Sequence, residues 1–232
     1  MILISFTVFY FIYYFNIRPI KIVKSLTESD NFSEKNENNS VYVIIAGSVA
    51  FAVLILRVFF FELVTIPSAS MMPNYVVGQK LLIDKMTFGI RSPLDNMPLT
   101  ISREPVRGEV VITQFPLNPQ VMFIKRIVGL PGDRISLSEE HLIINDQEYP
   151  LERLDDRKYV VNEEEGIYKI YAIKLGDFAW ELMVSLEKEF PKIDPMTMPN
   201  NGYFLLGDNL TGSSDSRFFG PIPMSYFIAS IN

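Results

Sequence analysis

The chain has 232 residues, 48% of them hydrophobic, with a single histidine and no cysteine. These counts exclude a disulfide framework, a thiolate nucleophile and a cysteine-ligated zinc site, and we expect neither a metal ion nor a cofactor. The formal net charge of -6 and the isoelectric point near 5.0 argue against a nucleic-acid-binding protein, which normally presents a basic surface.

Two apolar segments lie near the N-terminus. Residues 1–17 carry no charge, and residues 41–61 contain Arg57 as their one charged side chain. A helix needs about 20 predominantly apolar residues to cross a bilayer. Basic residues between the segments favour a cytoplasmic loop at 18–40. The sequence therefore predicts two transmembrane helices, 1–17 and 41–61, with residues 62–232 outside the cytoplasm. The alternative for 1–17 is a buried, aromatic-rich helix.

Residues 62–232 predict a mainly β domain. Short runs of β-branched and aromatic residues, such as "EVVITQF" and "GYFLLGD", are separated by Pro, Gly, Asn and Asp, which is typical of antiparallel strands. One segment predicts a helix instead: in "DFAWELMVSLEKEF", residues 177–190, apolar side chains recur at every fourth position. Residues 139–202, which include this segment, match no pattern that we can assign and form a variable insertion.

The stretch "IPSASMMP", residues 66–73, offers Ser68 and Ser70 as candidate nucleophiles. Serines between prolines are also common in ordinary turns. A serine nucleophile needs a base, and the one histidine, His141, lies beside two acidic residues on a predicted strand. A lone histidine in that setting is more often a surface residue than a catalyst.

Lys125 is the other candidate base. An ordinary lysine is protonated at neutral pH, but burial in apolar surroundings can lower its pKa by up to about 3 to 5 units. In "VMFIKRIVGLPGD", strand alternation places Lys125 on one face with Phe123 and Ile127. The alternative is an edge-strand lysine that discourages aggregation. Near the C-terminus, "GDNLTGSSDSRFFG" provides hydroxyls that could orient a neutral amine, and Asp215 and Arg217 could pair there.

Together, "PSASMMP", "FIKRIVGLPGDRI" and "LGDNLTGSSDSRFFG" resemble, in this order, the serine, lysine and C-terminal boxes of type I signal peptidases, the bacterial leader peptidases. The resemblance implies that Ser70 is the nucleophile and Lys125 the general base. It also implies supporting roles for other residues: Ser68 in the oxyanion hole with the Ser70 backbone N–H, Ser213 on the lysine amine, Asp215 and Arg217 as structural support, and Ile66, Phe123 and Ile124 in the substrate pockets. Two positions depart from the family pattern, with Asn74 where threonine is usual and Leu210 where arginine is usual.

The resemblance further implies a membrane-bound serine endopeptidase that removes signal peptides from secretory preproteins, cutting after small residues in an A-x-A pattern through an acyl-enzyme. The expected fold is an antiparallel, barrel-like β domain after two transmembrane helices. The expected location is the bacterial cytoplasmic membrane, with the catalytic domain on its periplasmic or outer side. Expected partners are preproteins and the lipid bilayer, for a monomer that binds no nucleic acid. Two alternatives stay open: a degenerate, membrane-anchored protein that binds signal peptides without cutting them, and another Ser-Lys peptidase of the LexA-like group.

Overall fold

The computed structural model describes residues 33–92 and 97–231 of the chain. The chain divides into two compact units, Met1–Leu56 and Arg57–Asn232. The predicted transmembrane helix at 1–17 lies outside the described residues, as does most of the predicted loop at 18–40.

Helix α1, Ser33–Phe59, covers most of the second apolar segment. It begins inside the predicted loop, and it ends before Phe61, which is already the first residue of a strand. Among the residues that the structure describes, no helix combines the length and the apolar character that a membrane span requires. The transmembrane assignment of 41–61 is therefore not confirmed and stays a prediction.

The second unit is mainly β and antiparallel, which confirms this part of the prediction. Its strands are β1 (Phe61–Thr65), β2 (Lys80–Asp84), β3 (Val110–Phe115), β4 (Asn118–Gly129), β5 (Arg134–Leu137), β6 (His141–Ile144), β7 (Gln147–Pro150), β8 (Glu152–Val161), β9 (Glu164–Leu175), β10 (Phe178–Ser185), β11 (Ile193–Thr197), β12 (Gly202–Leu206), β13 (Ile222–Pro223) and β14 (Phe227–Ile231). A one-turn helix α2, Ser216–Phe219, and two 3-10 turns, Ala69–Met71 and Met224–Tyr226, interrupt them.

A seven-stranded sheet carries the predicted site residues. Its strand order is β1-β2-β14-β3-β4-β12-β13. The serine segment connects β1 to β2, which pair along their full length from Phe61 opposite Asp84 to Thr65 opposite Lys80. In the centre of the sheet, Lys125 on β4 lies opposite Val111 on β3. Strand β12 pairs with the other edge of β4 and leads into the Gly-Asp-Asn loop. The sheet thus brings together three segments that are far apart in sequence.

The predicted insertion forms one sheet by itself, with order β10-β9-β8, and a second sheet together with the preceding strand β5, with order β11-β5-β6-β7. Apolar side chains from both sheets share one buried cluster with β4 and β12. Its largest contributors from the insertion include Tyr171, Trp180 and Phe190. Because this cluster is continuous with the central strands, the insertion packs as part of the core of the second unit.

The helix predicted at 177–190 is wrong. Strand β10 begins at Phe178 and pairs antiparallel with β9, from Phe178 opposite Leu175 to Ser185 opposite Tyr168. The turn between them is Gly176-Asp177, with Gly176 at φ +62°. Trp180, Leu182 and Val184 alternate into the core, the period of a strand. A spacing of four residues fits both a helix face and a strand face, so the apolar pattern could not distinguish them.

Candidate active site

Ser70 lies on the 3-10 turn that follows β1, and it is 7% exposed. The base of this loop is closed by backbone hydrogen bonds from Ile66 N to Gln79 O and from Gly78 N to Ile66 O, each 2.9 Å long. The hydroxyls of Ser68 and Ser70 lie 3.3 Å apart, within hydrogen-bond distance. The loop therefore presents both serines at one point beside the sheet.

Lys125 contacts the nucleophile candidate directly. Its Nζ donates to Ser70 Oγ at 2.8 Å and to the Ile124 carbonyl oxygen at 3.0 Å. Lys125 is 3% exposed, because the second half of β4, from residue 124 to residue 129, is covered on both faces. Of the two readings left open by the sequence, a desolvated lysine and an edge-strand lysine, the position of Lys125 matches the first.

Burial lowers the pKa of Lys125 from its ordinary value of 10.5 to about 8, against the charges of Asp215 and Asp208, which act to raise it. A lysine with a pKa of about 8 is neutral in roughly one molecule in ten at pH 7, whereas an ordinary lysine is almost wholly charged. The contact with Ser70 thus joins a nucleophile to a group that can accept its proton.

His141 lies elsewhere, on β6 in the insertion. Its Nε2 is 3.8 Å from Glu148 and its Nδ1 is 4.0 Å from Glu140. His141 belongs to the four-stranded sheet, whereas Ser70 stands beside the seven-stranded one. The structure therefore brings lysine, and not histidine, to the serine.

In the C-terminal box, Asp215 and Arg217 form the predicted pair. Asp215 is fully buried and accepts from Arg217 Nε at 2.7 Å and from Arg217 Nη2 at 2.8 Å. The same carboxylate accepts from the Gly207 backbone N–H at 3.0 Å. The predicted pair is therefore present, and it ties the loop after β12 to the short helix α2.

Ser213 is buried, and its Oγ has no hydrogen-bond partner within the described part of the chain. The close approach of Ser213 to the nucleophile loop depends on the absence of a side chain at Gly207. A Cβ added to Gly207 would lie 2.1 Å from Ser213 Oγ and 2.7 Å from the Ser70 carbonyl oxygen. Only glycine leaves room for these two segments to meet.

The three predicted pocket residues lie around the same strand. Ile66 and Ile124 are buried in one apolar cluster with Met71. Phe123 is half-buried in an aromatic group with Phe115 and Phe219, at ring distances of 4.9 and 5.9 Å. Phe123 and Ile124 directly precede Lys125 on β4, and Lys125 Nζ lies 5.2 Å from the centre of the Phe123 ring. The role of the three residues in substrate pockets stays a prediction.

Sequence reasoning missed a buried ion pair behind the site. Arg126 bonds Asp208 through two nitrogens, at 2.8 and 2.7 Å, and its guanidinium carbon lies 4.5 Å from the centre of the Trp180 ring. An arginine directly after the buried lysine, and an aspartate within "GDN", were the available signals. Asn209 also supports the loop: its backbone N–H donates to the Ser70 carbonyl oxygen at 3.0 Å, and its amide to the Ala69 carbonyl oxygen at 3.3 Å.

Comparison with known proteins places most of the chain in one family. The model of the family described as "Signal peptidase, peptidase S26" matches residues 39–232. A signal peptidase I of Pseudomonas aeruginosa is 36% identical in an alignment of 177 residues that covers 74% of this chain and 60% of that protein. A signal peptidase I of Buchnera aphidicola from Acyrthosiphon pisum is 29% identical over 87% of this chain and 79% of its own length.

A crystal structure of a signal peptidase I from Enterococcus faecalis V583 is 24% identical and covers 56% of this chain and 98% of its own, with a TM-score of 0.34. That likeness is too weak to add to the assignment. The chain spans about 60% of the length of the Pseudomonas relative. The family match covers most of the chain, including both Ser70 and Lys125. The chain therefore belongs to the signal peptidase family, peptidase S26.

Proposed function

We propose that this chain is a serine endopeptidase that removes N-terminal signal peptides from exported preproteins, with Ser70 as nucleophile and Lys125 as general base. The observation that carries the proposal is the 2.8 Å contact between Ser70 Oγ and a lysine amine that is almost wholly buried. Membership of the signal peptidase family supports the reaction class.

In the first step, neutral Lys125 accepts the Ser70 proton as the serine oxygen attacks the scissile carbonyl carbon. The resulting ammonium then protonates the leaving amine, which releases the mature protein and leaves the signal peptide as an ester on Ser70. Water next attacks the ester carbonyl, with Lys125 again accepting a proton, and the serine is regenerated.

The Ser68 hydroxyl and the Ser70 backbone N–H are the proposed donors to the oxyanion that develops in each step. The position of Ser68 Oγ, 3.3 Å from Ser70 Oγ, supports this role. A preorganised donor of this kind typically contributes around 2.7 to 4 kcal/mol to transition-state stabilisation.

The hydrogen-bonding capacity of the neutral Lys125 amine supports a role for Ser213. A neutral lysine amine has one lone pair and two N–H bonds. If the lone pair accepts from Ser70, one N–H can donate to the Ile124 carbonyl oxygen, 3.0 Å away. The buried Ser213 hydroxyl, which lacks a partner in the described residues, is the group that we propose for the other N–H.

We propose that the substrates carry small residues at -1 and -3 of the cleavage site and are held in the bilayer by their own apolar segments. A membrane-held enzyme would meet such substrates in the same plane. Exposed apolar side chains on the outer face of the β1–β2 pair, Phe61, Leu63 and Leu82, support contact of the catalytic unit with lipid.

The test is cleavage of a preprotein with an Ala-x-Ala site by the full chain in detergent. We expect the wild type to cut after the second alanine, and Ser70→Ala and Lys125→Ala to lose about 10³-fold or more in kcat, because each removes a member of one catalytic unit. Lys174→Ala, an exposed lysine on β9, is the matched control and should cut as the wild type does.

Two results would contradict the proposal. A wild-type chain that binds the preprotein but leaves it uncut would be a tethered signal-peptide-binding protein. Undiminished cleavage by folded Lys125→Ala would show that another group is the base.

A further inference from the structure

Asn74 links three segments that meet behind the nucleophile. Its Nδ2 donates to the Glu181 carbonyl oxygen on β10 at 2.7 Å and to Asp208 Oδ2 at 2.8 Å. Its Oδ1 accepts from the Glu181 backbone N–H at 3.3 Å. Although Asn74 is exposed as a residue, its amide is thus engaged by the insertion on one side and by the Gly-Asp-Asn loop on the other.

The partners of Asn74 permit one orientation of its amide. Asp208 Oδ2 and the Glu181 carbonyl oxygen are both acceptors, so only the amide nitrogen can face them. An aspartate of the same shape would place a carboxylate against both acceptors and add a negative charge beside Asp208. Position 74 therefore requires a side chain that donates hydrogen bonds, and a polar side chain that only accepts them would not fit.

Asp208 connects this amide to the catalytic residues. It is 1% exposed and also holds Arg126, the residue after Lys125, through a bidentate pair. Its charge is among those that act on the pKa of Lys125. The next residue, Asn209, donates to the Ser70 carbonyl oxygen. A displacement of Asp208 would therefore change the positions of both Ser70 and Lys125.

Strand β10 fixes the same loop from the other side. The Met183 N–H donates to the Asp208 carbonyl oxygen, and the Leu210 N–H donates to the Met183 carbonyl oxygen, each at 2.8 Å. Leu210 is buried in the apolar cluster shared by the insertion and the central strands. The insertion thus contacts the Gly-Asp-Asn loop through its backbone and the nucleophile loop through Asn74.

We propose that Asn74 is a positioning residue that fastens the nucleophile loop to Asp208 and to strand β10, so that the insertion fixes the geometry of the Ser70–Lys125 pair. The inference rests on the proposed function and adds to it a role for the insertion. Asn74 contacts neither Ser70 Oγ nor Lys125 Nζ through a hydrogen bond, and it acts through Asp208.

The experiment compares Asn74→Asp with Asn201→Asp, which makes the same chemical and charge change at an exposed turn before β12. Two quantities are measured on the full chain: kcat and KM for an Ala-x-Ala preprotein, and the titration of Lys125 by NMR of protein labelled with ¹³C-lysine. We expect Asn74→Asp to lower kcat by about 10- to 100-fold with KM little changed, because the loss is one of alignment. Its Lys125 should titrate at higher pH than in the wild type, and Asn201→Asp should change neither quantity.

A lower kcat with an unchanged Lys125 titration, or no change relative to Asn201→Asp, would overturn the inference. If Asn74→Asp does not fold, Asn74→Ser, which keeps one donor and adds no charge, is measured instead. A kcat below that of the wild type supports the inference, and a wild-type kcat overturns it. The titration does not depend on turnover, so a shifted Lys125 in a chain that cuts no preprotein would reject the proposed function and retain the role of Asn74.

Discussion

Burial of Lys125 affects stability as well as chemistry. Its pKa of about 8 in the folded chain is below its ordinary value of 10.5, so between these pH values the unfolded chain binds more protons than the folded chain. The free energy of unfolding therefore rises as the pH increases from about 8 to 10.5. Below this window, the folded state carries the full cost of holding a poorly solvated ammonium group.

Lys125→Met should therefore be more stable than the wild type at pH 7, by about 1 to 3 kcal/mol, because the lost hydrogen bond to Ser70 offsets part of the gain. The advantage should shrink as the pH rises above 8. Urea unfolding at pH 7 and near pH 10.5 measures both values. Lys174→Met is the control for removing an exposed lysine. A variant that is less stable than the wild type at pH 7 would contradict this account of the burial.

Ser70 and Lys125 were candidates from the sequence because each carries a local signal, and the choice of Ser70 over Ser68 came from the resemblance of three segments to signal peptidases. A lysine inside an apolar strand is unusual wherever it occurs, and a serine loop after an apolar segment is visible within a few residues. The contact of Asn74 with Asp208 joins residues 134 positions apart. Nothing near Asn74 in the sequence indicates its partner, since that depends on how β10 and the loop after β12 meet.

The strands around the site could be predicted from the sequence, whereas in the insertion one strand, β10, could not. The runs at β3, β4 and β12 are apolar, short and bounded by turn residues, and all three form strands. Strand β10 was not found because its apolar residues are spaced at multiples of both two and four. The Gly-Asp pair before it, a common two-residue hairpin turn, was the stronger signal.

The hairpin of β9 and β10 should depend on Gly176, whose φ of +62° is favoured by glycine and tolerated by asparagine. No atom lies within 4 Å of a Cβ at this position, so backbone strain alone decides the outcome. We expect Gly176→Val to lower the free energy of unfolding by about 1 to 2 kcal/mol, and Gly176→Asn by less. Urea unfolding of both variants measures the difference. Equal losses would indicate that the turn does not impose this conformation.

At the scale of the whole molecule, the sequence predicts two membrane segments and a catalytic domain outside the cytoplasm. Because the chain contains no cysteine, a single introduced thiol can report its side of the membrane without background.

We expect Glu163→Cys, at the exposed turn between β8 and β9, to react with a membrane-impermeant thiol reagent in intact spheroplasts. Ser25→Cys, in the predicted cytoplasmic loop, should react only after lysis. Labelling is quantified on the purified protein. Reaction of both thiols in intact spheroplasts, or protection of Glu163→Cys alone, would contradict the predicted topology.

If the neutral amine of Lys125 is the base for Ser70, the pH dependence of kcat/KM should follow the loss of the proton from this amine. This quantity reports the ionisation of the free enzyme. We predict that activity on an Ala-x-Ala preprotein rises with pH and levels off above an apparent pKa of about 8, and that His141→Ala leaves the profile unchanged. An apparent pKa near 6.5, the ordinary value for histidine, that disappears in His141→Ala would contradict the claim.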